Sequence, residues 1–247
     1  MDSTARAVHT ALPGIGERIA ALDWAGVSEA LDTHGSTPLG RLLSAEECRA
    51  LIGLYNNERS FRSRVVMDRH GFGRGEYRYF SYPLPPLIAG LRATLYPYLA
   101  PMANRWNTAM GIDQQYPDSH AAFLDRCHQA GQAKSTPLML SYQANDYNCL
   151  HQDLYGEQVF PLQVALLLSE PGKDFTGGEF VITEQRPRMQ SRAEVVSLQQ
   201  GEAVLFAVRH RPVQGSRGIY RANLRHGVSR VRSGLRYTVG VIFHDAQ

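Results

Sequence analysis

Between Leu138 and Phe243 the chain carries seven short segments with strand character in succession, and no other feature limits its fold as strongly. They cover Leu138–Gln143, Val159–Leu168, Glu179–Thr183, Glu194–Leu198, Ala203–Val208, His226–Val231 and Arg236–Phe243. Clusters of Gly, Pro, Asn or Asp separate most of them, so each run is short and bounded by turn chemistry. A succession of strands like this folds as a sandwich or barrel, in which strands cover one another's apolar faces.

The first half reads mainly as helix. Asp23 is placed to cap a helix through Trp24, Val27 and Leu31, with Gly35 as its stop. Ser44 and Glu47 form a capping-box pair ahead of a stripe of Cys48, Leu51, Ile52 and Tyr55. Leu87, Ile88, Leu91 and Leu95 form a further stripe after Pro83, Pro85 and Pro86, and Asp118–His128 a third, ended by Gly131. Residues 61–85 interrupt this pattern with Arg, Gly and aromatics, and read as a short hairpin and loop in which Tyr77 and Tyr79 share a face. The expected organisation is α+β. A mainly helical region, 1–136, carries the basic and aromatic hairpin-loop and buttresses a β core, 137–247, within one integrated domain.

With 247 residues, 43% hydrophobic and 20% charged, the chain can bury a core, and disordered, collagen-like and coiled-coil classes are excluded. No apolar run approaches the roughly 18 residues a membrane span needs. Asp2 and the lack of an apolar core in residues 1–14 argue against a signal peptide, and three scattered cysteines suit a reducing setting, so a cytoplasmic location is expected. Charge is uneven: from Arg186 to Arg236 there are eleven arginines against only Glu194 and Glu202.

His151 and Asp153 flank Gln152, and in an extended segment such i, i+2 positions share a face. A third ligand is available at His226. Two histidines and a carboxylate with open positions form the set used by non-haem Fe(II) oxygenases, although zinc accepts the same donors and an isolated H-x-D is often a chance pair in a turn. Ten residues beyond His226 stands Arg236, which a turn at Ser233-Gly234 would bring back beside it. Followed by the apolar run to Phe243, its guanidinium wants an anionic partner, and a dicarboxylate co-substrate chelating the metal at its other end would supply one. Thr238, at i+2, shares that face.

In these residues the sequence resembles the Fe(II)/2-oxoglutarate-dependent dioxygenases of the double-stranded β-helix (jelly-roll, cupin-like) fold over residues 138–243. Gly177-Gly178 ahead of a core strand and Gly201 before Ala203–Phe206 add to the likeness. The resemblance implies Fe(II) on His151, Asp153 and His226, 2-oxoglutarate held by Arg236 and Thr238, and dioxygen as oxidant, with succinate as co-product. Tyr142, nine residues before His151, matches the tyrosine that contacts 2-oxoglutarate in AlkB-like nucleic-acid dioxygenases. Leu140 stands where those enzymes usually carry Asn, and the ten-residue step from His226 to Arg236 is closer to prolyl-hydroxylase relatives. Asp153 argues against the halogenase branch, and Cys149 is expected to be a buried structural thiol. The stretch 61–85, followed by Tyr96–Trp106, resembles a bacterial group of 2-oxoglutarate oxygenases described as acting in oxidative demethylation of damaged DNA.

For the substrate, Arg62, Arg64 and Arg74 interleave with Tyr77 and Tyr79, a pattern in which rings stack an extruded base of DNA or RNA and guanidiniums hold its backbone. Arginines between Arg209 and Arg232 would add to such a rim. An Arg-rich solvated surface explains the same residues without a ligand. Three functions follow: a demethylase of alkylated nucleobases, a prolyl-hydroxylase-like protein or amino-acid hydroxylase, and a non-catalytic β-barrel binding module.

Overall fold

The computed structural model describes residues 13–154 and 156–247. The start of the segment judged for a signal peptide, up to residue 12, lies outside the described residues.

The helices form where capping chemistry and apolar spacing coincide. They are α1 (Ile15–Ala20), α2 (Trp24–His34), α3 (Ala45–Leu54), α4 (Pro86–Ala109) and α5 (His120–Gln129). Asp23 accepts from the Gly26 amide and Gly35 closes α2 at φ +77°. Ser44 and Glu47 make the reciprocal capping box of α3. The third stripe starts one cap later than the sequence suggests, with Ser119 accepting from the Ala122 amide. Helix α4 runs far beyond the Leu87–Leu95 stripe, through Pro97 and Pro101, and buries residues along its whole length, including Leu99 and Trp106. That burial outweighs the two amides the prolines lack.

The strands are β1 (Ser36–Arg41), β2 (Phe61–Val66), β3 (Gly73–Arg74), β4 (Glu76–Phe80), β5 (Leu138–Gln143), β6 (Tyr147–His151) and β7 (Leu162–Leu167), followed by β8 (Phe175–Gly177), β9 (Phe180–Gln185), β10 (Arg192–Val196), β11 (Glu202–Ala207), β12 (His210–Gly215), β13 (Gly218–Val228) and β14 (Val231–Val241). The major sheet has the order β1-β11-β7-β14-β5-β4-β2, with β8 beside β14; the minor sheet is β10-β9-β13-β6-β3, with β12 beside β13. From β5 onward the chain passes back and forth between the two sheets through antiparallel ladders. This is the expected jelly-roll. The rings of Phe180 and Phe206, from opposite sheets, meet at 5.1 Å in its interior.

Helices cover the outer face of the major sheet. Tyr96 of α4 packs on Phe243, Phe160 and Phe123, and Tyr55 at the end of α3 packs on Tyr237. A buried polar clamp ties these helices to the end of the chain. Arg92 of α4 donates to the carbonyls of Ile242 and His244 and pairs with Asp245 at 2.7 Å, while Tyr82 and His128 also bond the Asp245 carboxylate.

Two sequence expectations need correction. The Ser233-Gly234 pair is not the turn between β13 and β14; that turn is at Ser229-Arg230, and both residues lie inside β14. Gly234 is needed at φ +80° because a Cβ there would come within 1.9 Å of the Asp174 carbonyl, where β8 crowds the strand. The first half also supplies three strands to the major sheet, β1, β2 and β4, of which β1 contains Pro38 and Gly40 and stands at the sheet edge, where both are tolerated.

Two buried imidazoles make stability depend on pH. Burial pushes His120, which bonds the Phe243 carbonyl, and His244, which accepts from the Phe160 amide, down to about 4. A folded-state value below the unfolded one of about 6.5 means the contribution is complete above pH 6.5 and is lost as pH falls towards 4. Unfolding free energies from urea titrations at pH 7 and pH 5 should differ by on the order of 1–2 kcal/mol for each histidine, and His244→Gln should flatten the slope by about one proton.

Candidate metal centre

His151 is the last residue of β6, and Asp153 lies two residues beyond it, past the strand end and not within it as the i, i+2 argument assumed. His226 of β13 is the cross-strand partner of His151 in the minor sheet, and the two ring centroids are 4.2 Å apart. Asp153 bridges them: His151 Nε2 is 3.4 Å from Oδ1 and His226 Nε2 is 3.4 Å from Oδ2. One ligand atom from each of the three lies within 4.8 Å of the others. An octahedral cation with bonds of about 2.1 Å places adjacent ligand atoms about 3 Å apart, so the set is close to closing on one ion.

Neighbouring groups aim these donors. The Cys149 carbonyl lies 2.8 Å from His151 Nδ1 and can only accept, so Nδ1 carries a proton and Nε2 is the nitrogen turned to the cluster. The His226 ring is wedged between Phe180 and Phe206, at 6.0 and 4.6 Å. Gln152 turns the other way and donates to Asn223 Oδ1 and the Leu224 carbonyl, pinning the end of β6 to β13. Burial works to raise the Asp153 carboxyl, yet hydrogen bonds from the two imidazoles hold it well below the usual range. Burial lowers His226; for His151 burial also works downward, but the bond to Asp153, its charge and backbone hydrogen bonds together raise it. An ionised carboxylate between two imidazole nitrogens is a donor set suited to a divalent metal.

The cluster opens into a cavity of about 390 Å³ between the two sheets. Across it, on β14 of the major sheet, stand Arg236 and Thr238, so the cavity joins His226 and Arg236 from opposite sheets. Arg236 is only 2% exposed, and among the described residues no carboxylate lies within ion-pair distance of it. Its Nη1 donates to Thr238 Oγ1 at 2.5 Å, its Nε has no partner, and its guanidinium carbon lies 5.6 Å from the Tyr142 ring. Burial pulls its pKa down to about 10, which still leaves it charged near neutrality. Tyr142 is fully buried beside it; its hydroxyl has no bond of good geometry, and burial pushes the phenol up. A buried cation with a hydroxyl and a phenol around it fits an anionic group entering from the cavity.

Tyr77 and Tyr79 of β4 line the same cavity with their rings 5.4 Å apart. Phe72, 48% exposed, stands at its rim stacked on His70. The arginines grouped with them do not line it. Arg62 donates to the Ser135 carbonyl and covers the Tyr79 ring, Arg64 pairs with Glu76, and Arg74 is exposed on β3. In the basic third, Arg211 is buried against Glu184, whereas Arg217, Arg221, Arg225, Arg230 and Arg232 are exposed. Cys149, expected to be buried, is exposed at the cavity mouth, because β6 is covered on that side only by the two-residue β3. Gln163, the one polar residue of β7, is a lining residue the sequence reading overlooked; a lone amide inside an apolar run was the available signal.

A family model described as an oxygenase catalysing oxidative methylation of damaged DNA matches residues 75–246. The chain belongs to this oxygenase family. It is therefore an oxidoreductase. Two uncharacterised Mycobacterium tuberculosis proteins, one from each of two strains, are 53% identical over 167 residues, covering 68% of this chain and 72% of theirs. Among solved structures, a 2OG-Fe(II) oxygenase family protein from Burkholderia pseudomallei superimposes with TM-score 0.54 at 16% identity, covering 90% of this chain and 92% of that one. Prolyl 4-hydroxylases from Phytophthora capsici (TM-score 0.53, 15% identity, 95% and 67% covered) and Pseudomonas putida (TM-score 0.50, 15% identity, 91% and 99% covered) share the fold. Family and fold together imply Fe(II), 2-oxoglutarate and dioxygen, and the donor set and the unpaired guanidinium described above fit the first two.

Gly178 makes room for this arrangement. It sits at φ +65°, and a Cβ there would lie 2.9 Å from Arg236 Cδ and 2.8 Å from Val231 Cγ2. Gly178→Ala should lower stability by about 1–3 kcal/mol in urea unfolding. Gly172→Ala, at φ +81° with nothing near its Cβ, should show only the conformational part of that loss.

Proposed function

We propose that this chain is an Fe(II)- and 2-oxoglutarate-dependent dioxygenase that demethylates alkylated nucleobases. The observation that carries this reading is that Tyr77, Tyr79 and Phe72 line the same cavity as His151, Asp153 and His226. Flat rings beside a metal centre suit a base taken out of its stack and held between aromatic faces. The description of the matching family, which concerns methylation and damaged DNA, supports the same substrate class.

In this reading His151, Asp153 and His226 hold the metal, while Arg236, Thr238 and Tyr142 receive the far carboxylate of 2-oxoglutarate. Bound Fe(II) with 2-oxoglutarate supplies the oxidising power: dioxygen is consumed, 2-oxoglutarate leaves as succinate and carbon dioxide, and one oxygen atom enters the N-methyl C–H bond. The chain's own part is positional. Phe180 and Phe206 keep His226 dry and fixed, the Cys149 carbonyl sets the His151 tautomer, and the charge of Arg236 gives the co-substrate one orientation. The hydroxymethylated base then releases formaldehyde. Strand β4, from the 1–136 region, brings Tyr77 and Tyr79 to ligands carried by the 137–247 core, so both parts work as one unit. Among the described residues no helix is long and apolar enough to cross a membrane, and a reducing cytoplasm suits the three free thiols.

The ten-residue step from His226 to Arg236 favours one second reading, a prolyl-hydroxylase-like protein hydroxylase. The two readings differ in product. Methylated oligonucleotides should release formaldehyde, with a loss of more than about 100-fold in His151→Ala; silence across a broad panel of methylated bases, with a stable peptide product carrying one added oxygen, would select the second reading. Tyr79→Ala should raise the oligonucleotide KM by roughly 5- to 100-fold, the range expected for losing one stacked base, while leaving substrate-free 2-oxoglutarate turnover within about twofold.

A further inference from the structure

Gln163 is 4% exposed and lines the cavity, yet its side-chain Nε2 is buried without a hydrogen-bond partner. A buried amide donor left unpaired costs stability, and this one lines a cavity through which an acceptor can reach it. Its surroundings say which one. On one side Gln163 is the cross-strand partner of Phe206, whose ring lies 4.6 Å from the His226 ring. On the other, Val164 pairs with Val241, which places Gln163 in the row of Ile242. Arg236 is six residues back along β14, about 20 Å in Cα positions, and its guanidinium leans towards Thr238, in the direction of Gln163. Both side chains line the one cavity, Arg236 at one end of this inner-face row and Gln163 at the other, opposite the phenylalanine that packs on His226.

We infer that Gln163 is a positioning residue for the co-substrate: its Nε2 donates to the carboxylate–keto end of 2-oxoglutarate at the metal centre, while Arg236 holds the far carboxylate. The inference rests on the reading that His151, Asp153 and His226 hold the metal and Arg236 the dicarboxylate. A clamp with a charge at one end and a neutral donor at the other has a stated selectivity: it takes a dicarboxylate with an oxygen acceptor next to its inner carboxylate.

The test is calorimetric titration of 2-oxoglutarate into protein loaded with redox-inert Mn(II), with Gln163→Leu, Gln163→Glu and Arg236→Leu beside the wild type. Gln163→Leu should bind 2-oxoglutarate about 10- to 100-fold more weakly, the loss expected for one hydrogen bond to a charged group, while Mn(II) affinity stays within about twofold. Gln163→Glu, which replaces the donor with a negative charge, should bind it more weakly still. Without ligands, Gln163→Leu should melt at the wild-type temperature or a few degrees above it, because an unpaired donor has been removed. Wild-type affinity for 2-oxoglutarate in Gln163→Leu, or a parallel fall in Mn(II) affinity, overturns the inference. Should Arg236→Leu also bind like the wild type, the underlying reading of the site falls with it; loss in Arg236→Leu alone removes only the role of Gln163. No nucleic acid enters the measurement, so its outcome is independent of the proposed substrate.

Discussion

A guanidinium shut between two β-sheets, with no carboxylate of the described residues within ion-pair distance, is the constraint around which this molecule is arranged. Desolvation alone would make Arg236 intolerable, and the protein answers with partial measures: a hydroxyl from Thr238, the ring and phenol of Tyr142, and a glycine at position 178 that keeps its stem free of contact. None of these neutralises the charge. A group that would complete this deficit from the cavity is anionic. The other unpaired polar atoms lining that space, the Tyr142 hydroxyl and the Gln163 amide, extend the same deficit.

The metal cluster is organised on the opposite principle, with each donor already aimed. His151 is oriented by a backbone carbonyl, His226 by two phenylalanines, and Asp153 by both imidazoles. Its residues come from adjacent strands of the minor sheet and from the segment leaving one of them, so ordinary antiparallel pairing brings the two histidines face to face. Rigid donors on one side and a buried cation without an ion-pair partner among the described residues on the other divide the cavity into a part that suits a metal and a part that suits an anion.

Much of this was legible in the sequence because it rests on local chemistry. The ends of β5, the caps of α2 and α3, and the spacing of His151, Asp153, His226, Arg236 and Thr238 could all be read from residue type and position. Strands β1, β6, β8 and β12 could not, because they are short or lie at the margins of the sheets, and hydrogen bonding to neighbours holds them more than an apolar run of their own does. The Ser233-Gly234 pair misled for a related reason: its glycine answers to the crowding of β8, a contact distant in sequence. Arg62 and Arg64 carry the expected charge but spend it on Ser135 and Glu76, and Gln163 was hidden by the apolar run around it. Residue type is visible in a sequence; which way a side chain turns depends on neighbours supplied by the fold.

The placement of His226 and Arg236 on different sheets has a mechanical consequence. The His151–His226 pair travels with the minor sheet and Arg236 with the major one, joined at the Ser229-Arg230 turn and through the contact of Phe180 with Phe206. Any small shear of one sheet over the other changes the span between that pair and Arg236 while leaving each intact. Substitutions in the core between the sheets, far from the cavity's polar groups, would therefore alter that span without touching either end.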